Sequence, residues 1–178
     1  MSENSVILGI HEDILSYLLE RHKKDPSLLF TMRKTNRNNR LEEGYWFIGN
    51  DTYLQVSFWD GTDAFQKISR IGFFVEKRKQ GWVSNVYISC KDEPDLDAPF
   101  KALAAELGGF IPRSQHLWRK HFSNLNYLEN LESFINEDKK IIDRFLLDNP
   151  RIPVGKIEQH KFIENLNKIS DLRNQIKM

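Results

Sequence analysis

Only one cysteine, Cys90, occurs in the 178 residues. No disulfide can form within the chain, and a multi-thiolate metal site is excluded. No stretch approaches the ~18 uncharged apolar residues of a membrane helix. Neither sign of charge dominates: 26 Lys and Arg face 25 Asp and Glu, a formal net of +1. The overall basic field expected of many nucleic-acid binders is therefore missing. Repeats and low-complexity segments are absent. The opening MSENSVILGIHEDI lacks the basic region and small-residue cleavage site of a signal peptide. With a lone thiol, that leads us to expect a cytoplasmic protein that uses no membrane. Familiar catalytic patterns are missing too, including HExxH, the P-loop and GxSxG. His116 and His121 lie five apart, the wrong interval for one helix face. These gaps favour a non-enzyme with no catalytic residue, no cofactor and no metal.

What is present is the material of a folded domain: 40% apolar, 29% charged and 12% aromatic residues. The length suits one core better than two. Ile7, Ile10, Ile14, Leu15, Leu18 and Leu19 recur at helical spacing, and Pro26 stops that helix, which we place at about residues 5–24. The middle reads as strands. Leu28, Phe30 and Met32 alternate with Leu29, Thr31 and Arg33. Gly44 to Ile48, then Tyr53 to Trp59, then Ile71 to Val75, then Trp82 to Cys90 follow, with polar turns between. Pro94 and Asp95 open a helix that Gly108 and Gly109 close. Residues 110–122 suit an edge strand and a turn. Ser123 or Asn124 caps a long helix that ends at Asn149-Pro150, and a last helix carries Phe162, Leu166, Ile169 and Ile176. The expected fold is α+β: an antiparallel sheet of about five strands with an N-terminal helix and three C-terminal helices packed on it. Residues 1–150 form the single domain. Residues 151–178 form a hinge and a helix that packs back, serves as a connector, or makes a seam with a partner or a second copy.

Two enzymatic readings are open but thin. Cys90 ends a predicted strand, where a buried core thiol is the simpler reading than a nucleophile. Asp60, Asp63 and Glu76 could serve a small metal-dependent hydrolase. However, Glu76-Lys77-Arg78 does not give the acid-x-Lys pair of restriction-type nucleases, and Asp60 suits a turn.

The informative stretch runs from Arg33 to Trp82. Tyr45, Trp46, Phe47, Tyr53, Phe58, Trp59, Phe65, Phe73, Phe74 and Trp82 crowd it, and strand alternation cannot send all of them to one side. Basic runs flank them: Arg33, Lys34, Arg37 and Arg40, then Lys77, Arg78 and Lys79. Bases stack on rings, and cations neutralise phosphates. The candidate nucleic-acid set is therefore those seven cations with Tyr45, Tyr53, Trp59 and Trp82. The alternative is a sheet covered on both faces, with solvated basic loops. A compact acidic cluster, Asp92, Glu93, Asp95 and Asp97, offers a second kind of surface. It supports an alternative reading as a protein–protein assembly module, shared with the last helix.

The block GYWFIGNDTYLQVSFWDGTD from Gly44 to Asp63, with Leu107-Gly-Gly-Phe and Trp118, resembles the amino-terminal modules of McrB-like restriction and anti-phage proteins. The likeness spans roughly residues 28–148. It implies a bacterial DNA-recognition module without catalysis of its own, preceding a nucleotide-driven motor.

Overall fold

The computed structural model describes residues 3–60, 69–91, 93–152 and 154–177. The first apolar stripe forms helix α1, Glu3–Lys24, and Ile7, Ile14, Leu15 and Leu18 on it are fully buried. Two asparagines in the left-handed region, Asn38 and Asn39, turn the chain into the four-residue helix α2, Arg40–Glu43. Short polar asparagine tolerates that region better than most residues.

Strands β1 (Ile48–Asn50), β2 (Tyr53–Val56), β3 (Ser69–Arg78) and β4 (Gly81–Cys90) run as an antiparallel meander. Helix α3 (Asp97–Leu107) follows a single 3-10 turn and ends at Gly108 and Gly109, both at positive φ. A hairpin of β5 (Phe110–Ser114) and β6 (Leu117–His121) then adds to β4, giving a six-stranded sheet in the order β1-β2-β3-β4-β6-β5 among the described residues. Pro112 fits because β5 is an edge, where a missing N–H leaves no ladder bond unmade. Asn126, not Ser123 or Asn124, caps helix α4 (Tyr127–Ser133), accepting the amides of Leu128 and Glu129. One wide turn, Phe134–Asp138, leads into α5 (Lys139–Asp148), and α6 (Gln159–Lys177) closes the described chain. No described helix is long and apolar enough to cross a membrane.

The expected α+β class holds, with six strands rather than five. One extra pair comes from residues 110–121. Residues 28–33 are not a strand. Leu28, Phe30 and Met32 are buried as their alternation suggests, but among the described residues the segment's backbone amides reach the strand region through isolated bonds, Thr31 N–H to Ser57 O and Arg33 N–H to Trp46 O, and form no ladder.

Register assigns two faces to the sheet. Leu54, Val56, Ile71, Phe73, Val75, Val86, Ile88 and Trp118 share one core with α1, α3, α4, α5 and α6. Contacts from the helices reach this side: Asn130 donates to Ser84 Oγ, the Phe134 ring meets Phe73, and Lys120 pairs with Asp138 at 3.0 Å. Phe74 and Val83 are buried as well but stand outside that core, on the second face.

Helix α6 packs against α1 and the segment after it rather than on the sheet. The Phe162 ring meets His22 and Phe30, Asn165 donates to Met32 O, and Arg173 grips Glu12. The stripe read as a connector or seam is thus partly occupied by the chain's own core, with Phe162 and Ile169 fully enclosed. The hinge before it is tied down by an antiparallel bridge between Asp60 and Gly155.

Candidate nucleic-acid interface

The meander places two turns at one end of the sheet: Asn50 to Thr52 between β1 and β2, and Lys79-Gln80 between β3 and β4. They are stitched directly, since Lys77 N–H donates to Thr52 O at 2.8 Å. The two basic runs, 44 residues apart from Arg33 to Lys77 in sequence, meet there. Arg33 spans from Tyr45 O to Gly49 O on β1, and Arg40 pairs with Asp51 in the first turn at 3.2 Å. The end of β3 and the second turn carry exposed Lys77, Arg78 and Lys79. Arg33 is half-buried, and burial together with the Arg40 charge lowers its pKa. Arg78 is held by Glu76 at 3.3 Å, which raises its own. Arg37 is exposed beside α2. Lys34 departs from the group: its carbonyl accepts Lys168 Nζ, and its side chain lines a small groove with Asp60, Glu158 and Lys161 against α6.

The four rings proposed as stacking platforms separate. Tyr53, the first residue of β2, is half-buried and stacks on Phe74 at 6.1 Å. Tyr45 is fully buried. Its hydroxyl donates to Asp51 at 2.6 Å, Arg40 lies over its ring, and burial with that bond pushes its pKa up to about 12. Trp59 is buried and donates its indole N–H to Asp143 at 2.7 Å. Trp82 is half-buried, but register turns it to the helix side, where it leans on the core. Tyr45 and Trp59 are therefore corrected to structural roles, since a fully enclosed ring offers no free face to a base, and Trp82 is corrected because it faces the helices, away from Tyr53.

The second face contains what the sequence reading missed. Across four strands Gln55, Phe74, Asn85 and His121 lie in one row. Tyr53 and Glu76 precede it, and Tyr87 and Arg119 follow it. Gln55, Phe74 and Asn85 form a buried floor, while Tyr53, Glu76, Tyr87 and Arg119 reach solvent in part and His121 is exposed. Glu76 Oε2 accepts Asn85 Nδ2 at 2.7 Å and the Tyr87 hydroxyl at 3.0 Å. Asn85 then presents its carbonyl to His121 Nδ1 at 3.0 Å, so that nitrogen carries the proton. Burial and Glu76 together raise the pKa of Tyr87. Two polar atoms on this face, Arg119 Nε and Ser89 Oγ, are buried without a partner. Alternation along β4 could have shown Asn85, Tyr87 and Ser89 sharing a side. Their convergence with β6 needed the topology.

The enzymatic readings find no shared site. Glu76 is engaged by Asn85, Tyr87 and Arg78, Asp60 is bridged through its backbone to Gly155, and Asp63 lies outside the described residues. Cys90 is buried, and desolvation with the Asp97 charge pushes its thiol up to about 11, the opposite of an activated nucleophile. In the acidic segment, Glu93 and Asp95 are exposed and Asp92 lies outside the described residues.

No protein-family model, curated protein or solved structure matches this chain.

Proposed function

We propose that the protein is a non-catalytic nucleic-acid-recognition module, DNA being the expected ligand, that binds across the sheet end and onto the second face. One observation carries this reading: two cationic segments distant in sequence meet at the sheet end where Tyr53 stands. Arg33, Arg37 and Lys79 supply charge for phosphates, Lys77 adds its own from the helix side of the same sheet end, and Tyr53 and Tyr87 supply ring surface. Base stacking on a ring is worth about 1–3 kcal/mol. Near-neutral net charge fits a local patch rather than a general field. The restriction and phage-defence setting, in a bacterial cytoplasm, extends the proposal from the likeness of residues 44–63 to McrB-like modules.

The test is fluorescence anisotropy with single- and double-stranded DNA across a salt series. Lys77→Ala with Lys79→Ala should flatten the log-log salt dependence by about 1–2 units. Tyr53→Ala should weaken binding about tenfold or more with little change in that slope. Absence of salt-dependent binding to either DNA refutes the proposal.

A further inference from the structure

We propose that Cys90, Asp97 and His116 form a divalent-cation site suited first to zinc. The three come from separate elements: the last residue of β4, the first of α3, and the turn between β5 and β6. A sulfur, a carboxylate oxygen and a ring nitrogen from them lie within 4.8 Å of one another. Backbone bonds hold the arrangement. Cys90 N–H donates to His116 O at 3.0 Å, Glu93 N–H to Cys90 O at 2.9 Å, and Leu96 N–H to Glu93 O at 2.9 Å. Each donor is therefore fixed to its neighbour by the chain, and only small side-chain movements separate this geometry from a coordinated one.

His116 sits at φ 64, in the left-handed region that histidine tolerates better than most residues with a Cβ. With histidine there, the ring comes to Asp97, Nδ1 to Oδ1 at 2.7 Å.

The donor set chooses the ion. Thiolate, imidazole and carboxylate together are borderline in softness, which suits zinc and disfavours magnesium or calcium. The charges balance: one thiolate and one carboxylate offset the dication beside a neutral imidazole. Binding is written as the ion plus the thiol giving a metal–sulfur bond and one released proton. Cys90 is wholly buried whereas Asp97 and His116 are partly exposed, so the solvent side of the three donors leaves a fourth position for water or a ligand. The site lies at the far end of β4 from the basic turns, about 30 Å along the strand. It therefore stands or falls independently of nucleic-acid binding.

The test uses the full chain, reduced and stripped with chelator, and titrated with zinc chloride or, in separate samples, with cobalt chloride. Zinc should raise the melting temperature, and cobalt should give a thiolate-to-metal charge-transfer band. Cys90→Ser should abolish that band. His116→Asn suits the left-handed turn and keeps the fold by circular dichroism, yet should weaken zinc by at least about tenfold, since even outer-shell losses cost that much. A wild-type melt indifferent to excess zinc overturns the proposal, as does a cobalt spectrum unchanged by Cys90→Ser.

Discussion

Lowering the pH should unfold this protein through His11. The ring lies in α1 at 0% exposure, its Nδ1 accepting the Phe47 amide at 3.2 Å and its Nε2 buried without a partner. Burial, with Arg33 as a second cause, lowers its pKa to about 3. The folded state therefore refuses a proton that the unfolded chain accepts near the ordinary value of 6.5. With a depressed folded pKa, the stabilisation is complete above 6.5 and is lost as pH falls towards 3. Well below 6.5 each pH unit costs about 1.4 kcal/mol, and because the unfolded ring is only half protonated at 6.5, going from about pH 6.5 to 4.5 should remove about 2 kcal/mol. His11→Asn isolates the effect, because its amide oxygen can accept the Phe47 N–H but does not titrate. That variant loses ring contacts to Tyr45 and Phe47 and should be about 2 kcal/mol less stable at neutral pH. Urea denaturation at several pH values measures both. Carboxylates shift both proteins alike, so the gap between them should close on acidification. Parallel stability curves would refute the reasoning.

Phe162→Ala should cost about 3–5 kcal/mol by chemical denaturation, because the ring is enclosed between His22 and Phe30. Light scattering on the folded variant should give the wild-type mass, and a changed mass would restore the seam reading of α6. Gly49→Ala should destabilise by about 2 kcal/mol or more. Gly49 has φ 149, and an added Cβ would stand 2.1 Å from Tyr53 O. The β1–β2 pair that seats Arg33 and Tyr53 would have to part, so DNA affinity should fall with stability.

Much of the fold was legible because local periods matched burial. The α1 stripe, the β3–β4 hairpin with its basic turn, and the glycine pair closing α3 each follow from residues within one element. Residues 28–33 misled because alternation records which side chains are buried, not whether the backbone forms a ladder. The site was less legible for a related reason. Aromatic density identified a crowded region but could not say that Tyr45 would be sealed by Asp51 and Arg40 while Tyr53 stayed at the rim. Cys90, Asp97 and His116 are separated by 7 and 19 residues, and no helix or strand period relates all three. Only the β5–β6 hairpin returning beside β4 brings them together.

The wide turn at Phe134–Asp138 sets the direction of everything after it. Up to its first residue, Asn130 and Phe134 address the sheet; after it, Lys139 and Asp143 reach Phe58 and Trp59 while Ile142 remains wholly enclosed. One extra residue in that loop of helix is what lets both halves face inward. Winding the same residues as regular helix, without the wide turn, would swing α5 about 100° round its axis, exchanging its greasy side for its charged one without altering composition elsewhere. The wide winding of this short segment therefore matters more to the core than the identity of its exposed members, Asn136 and Glu137.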